Sequence, residues 1–141
     1  MCSSDLMQAI KKGEDFVTGE GIMIKNEDIT IPGPEPHSYA YCSDTRYFTR
    51  LSRFVSDVEL LYHEATFDNS LSDLAMTTGH STTSDAARVA LEAGAKALII
   101  GHFSSRYKDV TSLVDEARTI FPRTFPAIDG QDYDINAIDE W

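Results

Sequence analysis

Along this chain the apolar positions change rhythm, and each change marks an element. Ala97, Leu98, Ile99 and Ile100 form an unbroken apolar run, the pattern of a strand covered on both faces. Just upstream, Ala86, Val89, Ala90 and Ala93 recur at i, i+3, i+4 and i+7, which predicts a helix over 86–93. Its narrow, small-residue face suits close contact with a sheet. Thr82 and Asp85 have the spacing of a capping box that would start this helix, and Gly94 would stop it. Residues 39–42 and 58–62 read as two more strands, and residues 48–55 as a helix with Leu51, Phe54 and Val55 inward. A last helix, capped near Asp109, carries Val110, Leu113, Val114, Ala117 and Phe121 at core spacing and ends at Pro122.

The two ends are less regular. Residues 6–12 read as a short helix closed by Gly13, and residues 14–17 as an extended segment. Residues 22–24 and 29–31 look like short strands about a turn at 26–28, and three prolines make 32–37 a loop. Residues 124–135 hold room for a final strand, and the acidic tail to Trp141 is expected to fray.

Strands alternating with helices imply an α/β fold with parallel pairing and right-handed crossovers. The strand over 39–42 is followed by Asp44, that over 58–62 by His63 and Glu64, and that over 97–100 by His102. Gly101 is expected to give the backbone the freedom to deliver His102. All of these tips should face one edge of the sheet, where open α/β sheets bind ligands.

Length and charge narrow the picture. The 141 residues amount to one domain. Only Cys2 and Cys42 occur, too few for a disulfide framework, and with no signal peptide or long apolar span the expected setting is the cytoplasm, away from membranes. The net charge of −11 argues against a general nucleic-acid-binding surface, so any phosphate contacts have to be local. The first six residues, Met-Cys-Ser-Ser-Asp-Leu, match the translation of a common sequencing adapter. Residues 1–6 are therefore expected to be an artefact of a gene model truncated at its 5′ end, with 7–141 a partial domain.

Each candidate residue has an ordinary reading beside a chemical one. Asp44 can cap a helix near Phe48 as readily as it can hold a metal ion. A lone histidine such as His102 reads by itself as a hydrogen-bonded core residue. Glu64 can simply tie two loops together, and Arg106 can form a surface salt bridge. His63 reads as structural and bonded to backbone, and His37, in the proline loop, as solvent-exposed.

Four ordered motifs add to this. G-H-S-T at 79–82, G-H-F-S-S-R-Y at 101–107, Y-H-E-A-T-F at 62–67 and Y-C-S-D-T-R at 41–46 together resemble ribonuclease Z, the tRNA 3′-processing endonuclease family of the metallo-β-lactamase superfamily. Ser43 stands where many relatives carry glycine. The resemblance covers only the C-terminal half of that family and implies the C-terminal half of a metallo-β-lactamase-type αββα sandwich. It further implies a zinc-dependent endoribonuclease that removes 3′ trailers from pre-tRNA by attack of a metal-activated hydroxide on a phosphodiester. Carried over residue by residue, it makes Asp44 and His102 metal ligands in a centre of two Zn2+ ions in the complete enzyme. His80 becomes the catalytic proton donor, Glu64 its partner, and Ser104 and Arg106 contacts to the substrate. The complete enzyme is expected to be a homodimer acting on pre-tRNA. The family's H-x-H-x-D-H metal motif is absent from this sequence, so the chain is expected to be inactive by itself. Two alternatives remain open at this stage: another phosphodiesterase or arylsulfatase-like hydrolase of the same superfamily, and a half-length, non-catalytic interaction module.

Overall fold

The structure is a computed structural model that describes residues 3–141; Met1 and Cys2, including the start of the suspected artefact and one of the two cysteines, lie outside the described residues. The chain forms two compact units, the first ending at Pro36 and the second spanning His37–Trp141.

In the first unit, helix α1 (Ser3–Lys11) begins earlier than its apolar positions suggested. Gly13, at φ 87°, closes it with a backbone bond from its N–H to the Ile10 carbonyl. Strands β1 (Phe16–Val17) and β2 (Met23–Ile24) pair antiparallel. The strand expected over 29–31 is not formed, because the preceding residues make the helical turn α2 (Asn26–Ile29) instead. The Asp15 carboxylate accepts from the Asn26 N–H at 2.8 Å, and the Thr30 hydroxyl returns to the Asn26 carbonyl at 2.8 Å. These bonds close the turn at both ends, and Ile31 is left 93% exposed.

The second unit is built on four parallel strands, β3 (Tyr39–Cys42), β4 (Leu60–Glu64), β5 (Ala97–Gly101) and β6 (Thr124–Pro126), in sequential order. Register pairs Cys42 with His63, and Glu64 with Gly101, so the strand ends lie side by side. Strand β4 begins two residues later than expected, and so takes His63 and Glu64 into the strand itself.

Alternation along the central strands divides the core. Leu61, Leu98 and Ile100 face a helical layer of α3 (Leu51–Phe54), α5 (Thr83–Ala93) and α6 (Thr111–Arg118). Leu60, Ala97 and Ile99 point to the other side, against Ile138. Helix α5 explains the tight spacing, since Ala86, Ala87, Val89 and Ala90 are all completely buried. Its capping box is present in both directions between Thr82 and Asp85, and Gly94 adopts the left-handed cap. Helix α3 is much shorter than expected. With one turn only, the buried side is Leu51, Ser52 and Val55, and Phe54 is turned out to solvent.

Two stretches depart further from the sequence pattern. A 3-10 turn (Asn69–Leu71) and helix α4 (Ser72–Thr78) precede His80; the Asp68 side chain caps the turn, and Gly79 ends the helix in the left-handed region. Only Ala75 of α4 is buried, so no apolar stripe marked it. The tail does not fray. After the short β6 it forms a 3-10 helix (Ile135–Glu140), with Ile138 buried and the Trp141 ring edge-on to Phe125 and Tyr133, each 5.6 Å away. The Arg123 guanidinium holds this segment through the Ile138 carbonyl.

Candidate active site

The carboxyl ends of β3, β4 and β5 bring Asp44, Glu64 and His102 together. Asp44 and His102 both adopt left-handed backbone, at φ 50° and 59°. Non-glycine residues seldom occupy that region, and they cluster at functional sites when they do. The conformational irregularity therefore falls on His102 itself, and Gly101 has a different role from the one expected. A Cβ at Gly101 would lie 2.5 Å from the Tyr62 hydroxyl and 2.9 Å from the Ala127 Cβ, so close packing demands the glycine.

His80 reaches the same edge from the loop between α4 and α5. Its N–H bonds to the Ala75 carbonyl at 2.9 Å, and the neighbouring Ser81 hydroxyl donates to the Thr45 carbonyl at 2.6 Å. The loop is thereby fixed to the one that carries Asp44. One potential ligand atom from each of Asp44, His80 and His102 lies within 4.8 Å of the others. His102 Nε2 is 3.4 Å from Asp44 Oδ1, and the two imidazoles lie 5.3 Å apart between centroids.

Beneath this cluster lies Glu64, completely buried. Its two oxygens accept from the Thr45 N–H at 2.7 Å, the Thr66 hydroxyl at 2.6 Å, the Ser81 N–H at 3.2 Å and His80 Nδ1 at 3.1 Å. Burial is the largest single influence and pushes the carboxyl pKa up. The bonds from Thr66, His80, Ser81 and Thr45 together outweigh it and hold the group below the usual carboxylate range. Glu64 is accordingly an anion that tethers the β3 loop, its own loop and the loop before α5. His63, also fully buried, donates from Nδ1 to the Glu64 carbonyl at 2.7 Å, and burial lowers its pKa, so it is a neutral structural residue. Its Nε2 is buried without a partner, which a neutral ring tolerates better than a charged one.

Ser104 and Arg106 follow on the loop after β5. Arg106 Nε donates to Ser104 Oγ at 3.0 Å, and its guanidinium lies over the Phe67 ring, 4.9 Å from the centroid. The Tyr107 hydroxyl donates to Asp68 at 2.9 Å, which anchors this loop to the one after β4. A cleft of about 420 Å3 opens beside His80, lined by Arg46, Tyr47, Phe48 and Met76 among others. His37 is exposed, as expected, yet both its ring nitrogens are engaged: Nδ1 with Glu59 at 2.8 Å and Nε2 with Asn136 at 3.0 Å. Thr66, two residues beyond Glu64, was not singled out in the sequence, although it lies within the 62–67 motif.

Asp44 and His102 offer a carboxylate and an imidazole, donors that suit zinc, and the His80 imidazole lies within the same reach. The residues fit such an ion, and among the described residues they form one partial cluster; nothing in it shows a second ion.

No family model matches the sequence. The chain is 48% identical over 121 residues to ribonuclease Z of Bacteroides fragilis, covering 86% of this chain and 40% of that protein. It is 47% identical over 118 residues to ribonuclease Z of Porphyromonas gingivalis, covering 84% and 39%. It thus spans about two-fifths of the length of the curated relatives it matches. A metallo-β-lactamase fold protein of Bacillus subtilis superposes with a TM-score of 0.65 at 22% identity, over 86% of this chain and 48% of that one. A long-form ribonuclease Z from yeast gives 0.64 at 20% identity, over 96% and 20%. The architecture is a fragment of a metallo-β-lactamase-type αββα sandwich. The chain is thus similar in sequence to part of ribonuclease Z and in fold to part of a metallo-β-lactamase fold protein, in each case over less than half of the relative's length. No helix among the described residues is long and apolar enough to cross a membrane.

Proposed function

We propose that this chain is the part of a zinc-dependent tRNA 3′ endonuclease that carries the proton donor and a share of the metal ligands. The observation that supports this most is the pairing of His80 with a buried, ionised Glu64, with Asp44 and His102 on the open side of the same imidazole. Similarity to ribonuclease Z of two bacteria supports the substrate class.

A zinc ion held by Asp44 and His102 would supply a Lewis acid for the scissile phosphate and its attacking water. The chain's own residues do the rest. Glu64 accepts from His80 Nδ1 and fixes the orientation of the ring, which leaves Nε2 as the nitrogen that serves the site. From there His80 gives a proton to the departing ribose 3′ oxygen, which is otherwise a poor leaving group. The cleft beside His80 would receive the nucleoside bearing that oxygen, with Phe48 and Tyr47 offering aromatic surface to the base. Arg106, with Ser104, would bind phosphate through its planar guanidinium on the other side of His102 in sequence. The products are a tRNA with a 3′ hydroxyl and a trailer with a 5′ phosphate.

The sequence has no H-x-H-x-D-H cluster, so the isolated chain is expected not to cleave pre-tRNA. Joining the region of the Bacteroides fragilis enzyme that precedes the match to residue 7 onward should give cleavage of pre-tRNA in preference to a small phosphodiester. In that chimera His80→Ala should lower kcat about 10²–10⁴-fold, and Asp44→Ala should abolish turnover. Specific cleavage by the chain alone, or a folded, zinc-loaded chimera inert on pre-tRNA, would overturn the proposal.

A further inference from the structure

The Thr66 hydroxyl sits between two groups that the proposed function treats separately. It lies 2.6 Å from Glu64 Oε2, 2.9 Å from His102 Nδ1 and 3.0 Å from the His102 carbonyl oxygen. A hydroxyl has one hydrogen to give and lone pairs to receive with. The shortest of the three contacts is to an ionised carboxylate, where a charge-assisted bond is strongest. Given to Glu64, that hydrogen is no longer available to His102, so Nδ1 must approach Thr66 as a donor. The neutral His102 ring then carries its proton on Nδ1 and presents a bare Nε2, and Nε2 is the nitrogen that lies toward Asp44.

We infer that Thr66 is a positioning residue that selects the Nδ1–H tautomer of His102 and so prepares Nε2 as a metal ligand. One buried carboxylate thereby orients both imidazoles: His80 directly, and His102 through the Thr66 hydroxyl. The burial of Thr66, 6% exposed, shields this chain of bonds from competing water. Groups that hold a ligating histidine by its other nitrogen generally matter to metal affinity about 10–100-fold when removed.

The inference rests on the reading of His102 as a ligand, and two readouts separate the failure of one from the failure of the other. The first uses the metal-free chain: two-bond 1H–15N correlations of the histidine rings, recorded above neutral pH, report which nitrogen of His102 is protonated. Wild type and Thr66→Ser should show Nδ1 protonated and Nε2 bare, and Thr66→Val should lose that preference. The second is zinc affinity by chelator competition, where Thr66→Val should fall about 10–100-fold and Thr66→Ser should stay near wild type. A proton on Nε2 in the wild-type chain overturns the tautomer assignment, whether or not Thr66→Val folds. Zinc binding by Thr66→Val equal to wild type overturns the positioning role. If, in the chimera with the Bacteroides fragilis N-terminal region, His102→Ala binds zinc as tightly as the unsubstituted protein, the ligand reading of His102 fails, and the tautomer spectra still decide what Thr66 does to the ring.

Discussion

The carboxylate oxygens of Glu64 lie 3.1 and 3.2 Å from Nδ1 of His80, although the glutamate is completely buried and the imidazole side chain is 24% exposed. This pair spans the boundary between core and cleft, and it joins stability to chemistry. Replacing Glu64 by alanine leaves two backbone N–H groups, a threonine hydroxyl and an imidazole facing a void. Breaking a buried charged network in this way costs about 3–5 kcal/mol. Glu64→Gln keeps the shape but turns one acceptor into a donor, at about 1–3 kcal/mol. Urea midpoints should therefore fall in the order wild type, Glu64→Gln, Glu64→Ala; three equal midpoints would show that the carboxylate does not hold the loops.

Much of this was legible in advance, and the reasons are physical. Helix α5 and strand β5 are long enough, and buried enough, for periodicity to fix them, and the Thr82–Asp85 cap adds an independent local signal. Asp44, Glu64, His80 and His102 follow from their places at strand ends and before a helix, once the strands are known to be parallel. Helix α4 escaped because one buried alanine leaves no stripe, and the 29–31 segment misled because Asp15, a residue well outside any local window, caps the turn before it. Thr66 escaped because its importance is a matter of three distances around one oxygen, which no spacing rule encodes.

At the other end of the strands, Glu59 gathers the Lys96 ammonium at 2.7 Å, His37 at 2.8 Å and the Ser38 N–H at 3.1 Å. The bond from Lys96, then those from His37 and Ser38, pull its pKa down from 4.5 to about 2. A depressed carboxyl contributes stability that is fully present above its unfolded value and is lost as pH falls toward the folded one. Glu59→Gln should accordingly have a lower urea midpoint than wild type at neutral pH, with the difference narrowing steadily below about pH 4.5. A difference that stays constant on acidification would show that the carboxylate's charge is not what is felt.

Gly101 tests the packing that sets His102. Its missing Cβ is required by the Tyr62 hydroxyl and Ala127, and overpacking of this kind costs about 1–3 kcal/mol. Gly101→Ala should lower the unfolding free energy by that much, read from urea denaturation, and the double variant Gly101→Ala with Tyr62→Leu, which removes the nearest clash, should recover part of it. No recovery in the double variant would place the strain elsewhere.

The division of labour at the strand ends is tested most directly by the zinc affinity of three single variants of this chain, measured by chelator competition. Asp44→Ala and His102→Ala should each lose most zinc binding, while His80→Ala, which on the proposed reading removes a proton donor and no ligand, should stay within about threefold of wild type, less than the tenfold or greater loss expected when a group supporting a ligand is removed. Loss of zinc in His80→Ala as complete as in His102→Ala would contradict the account, because His80 would then be a ligand and the chain would hold no acid for the leaving oxygen.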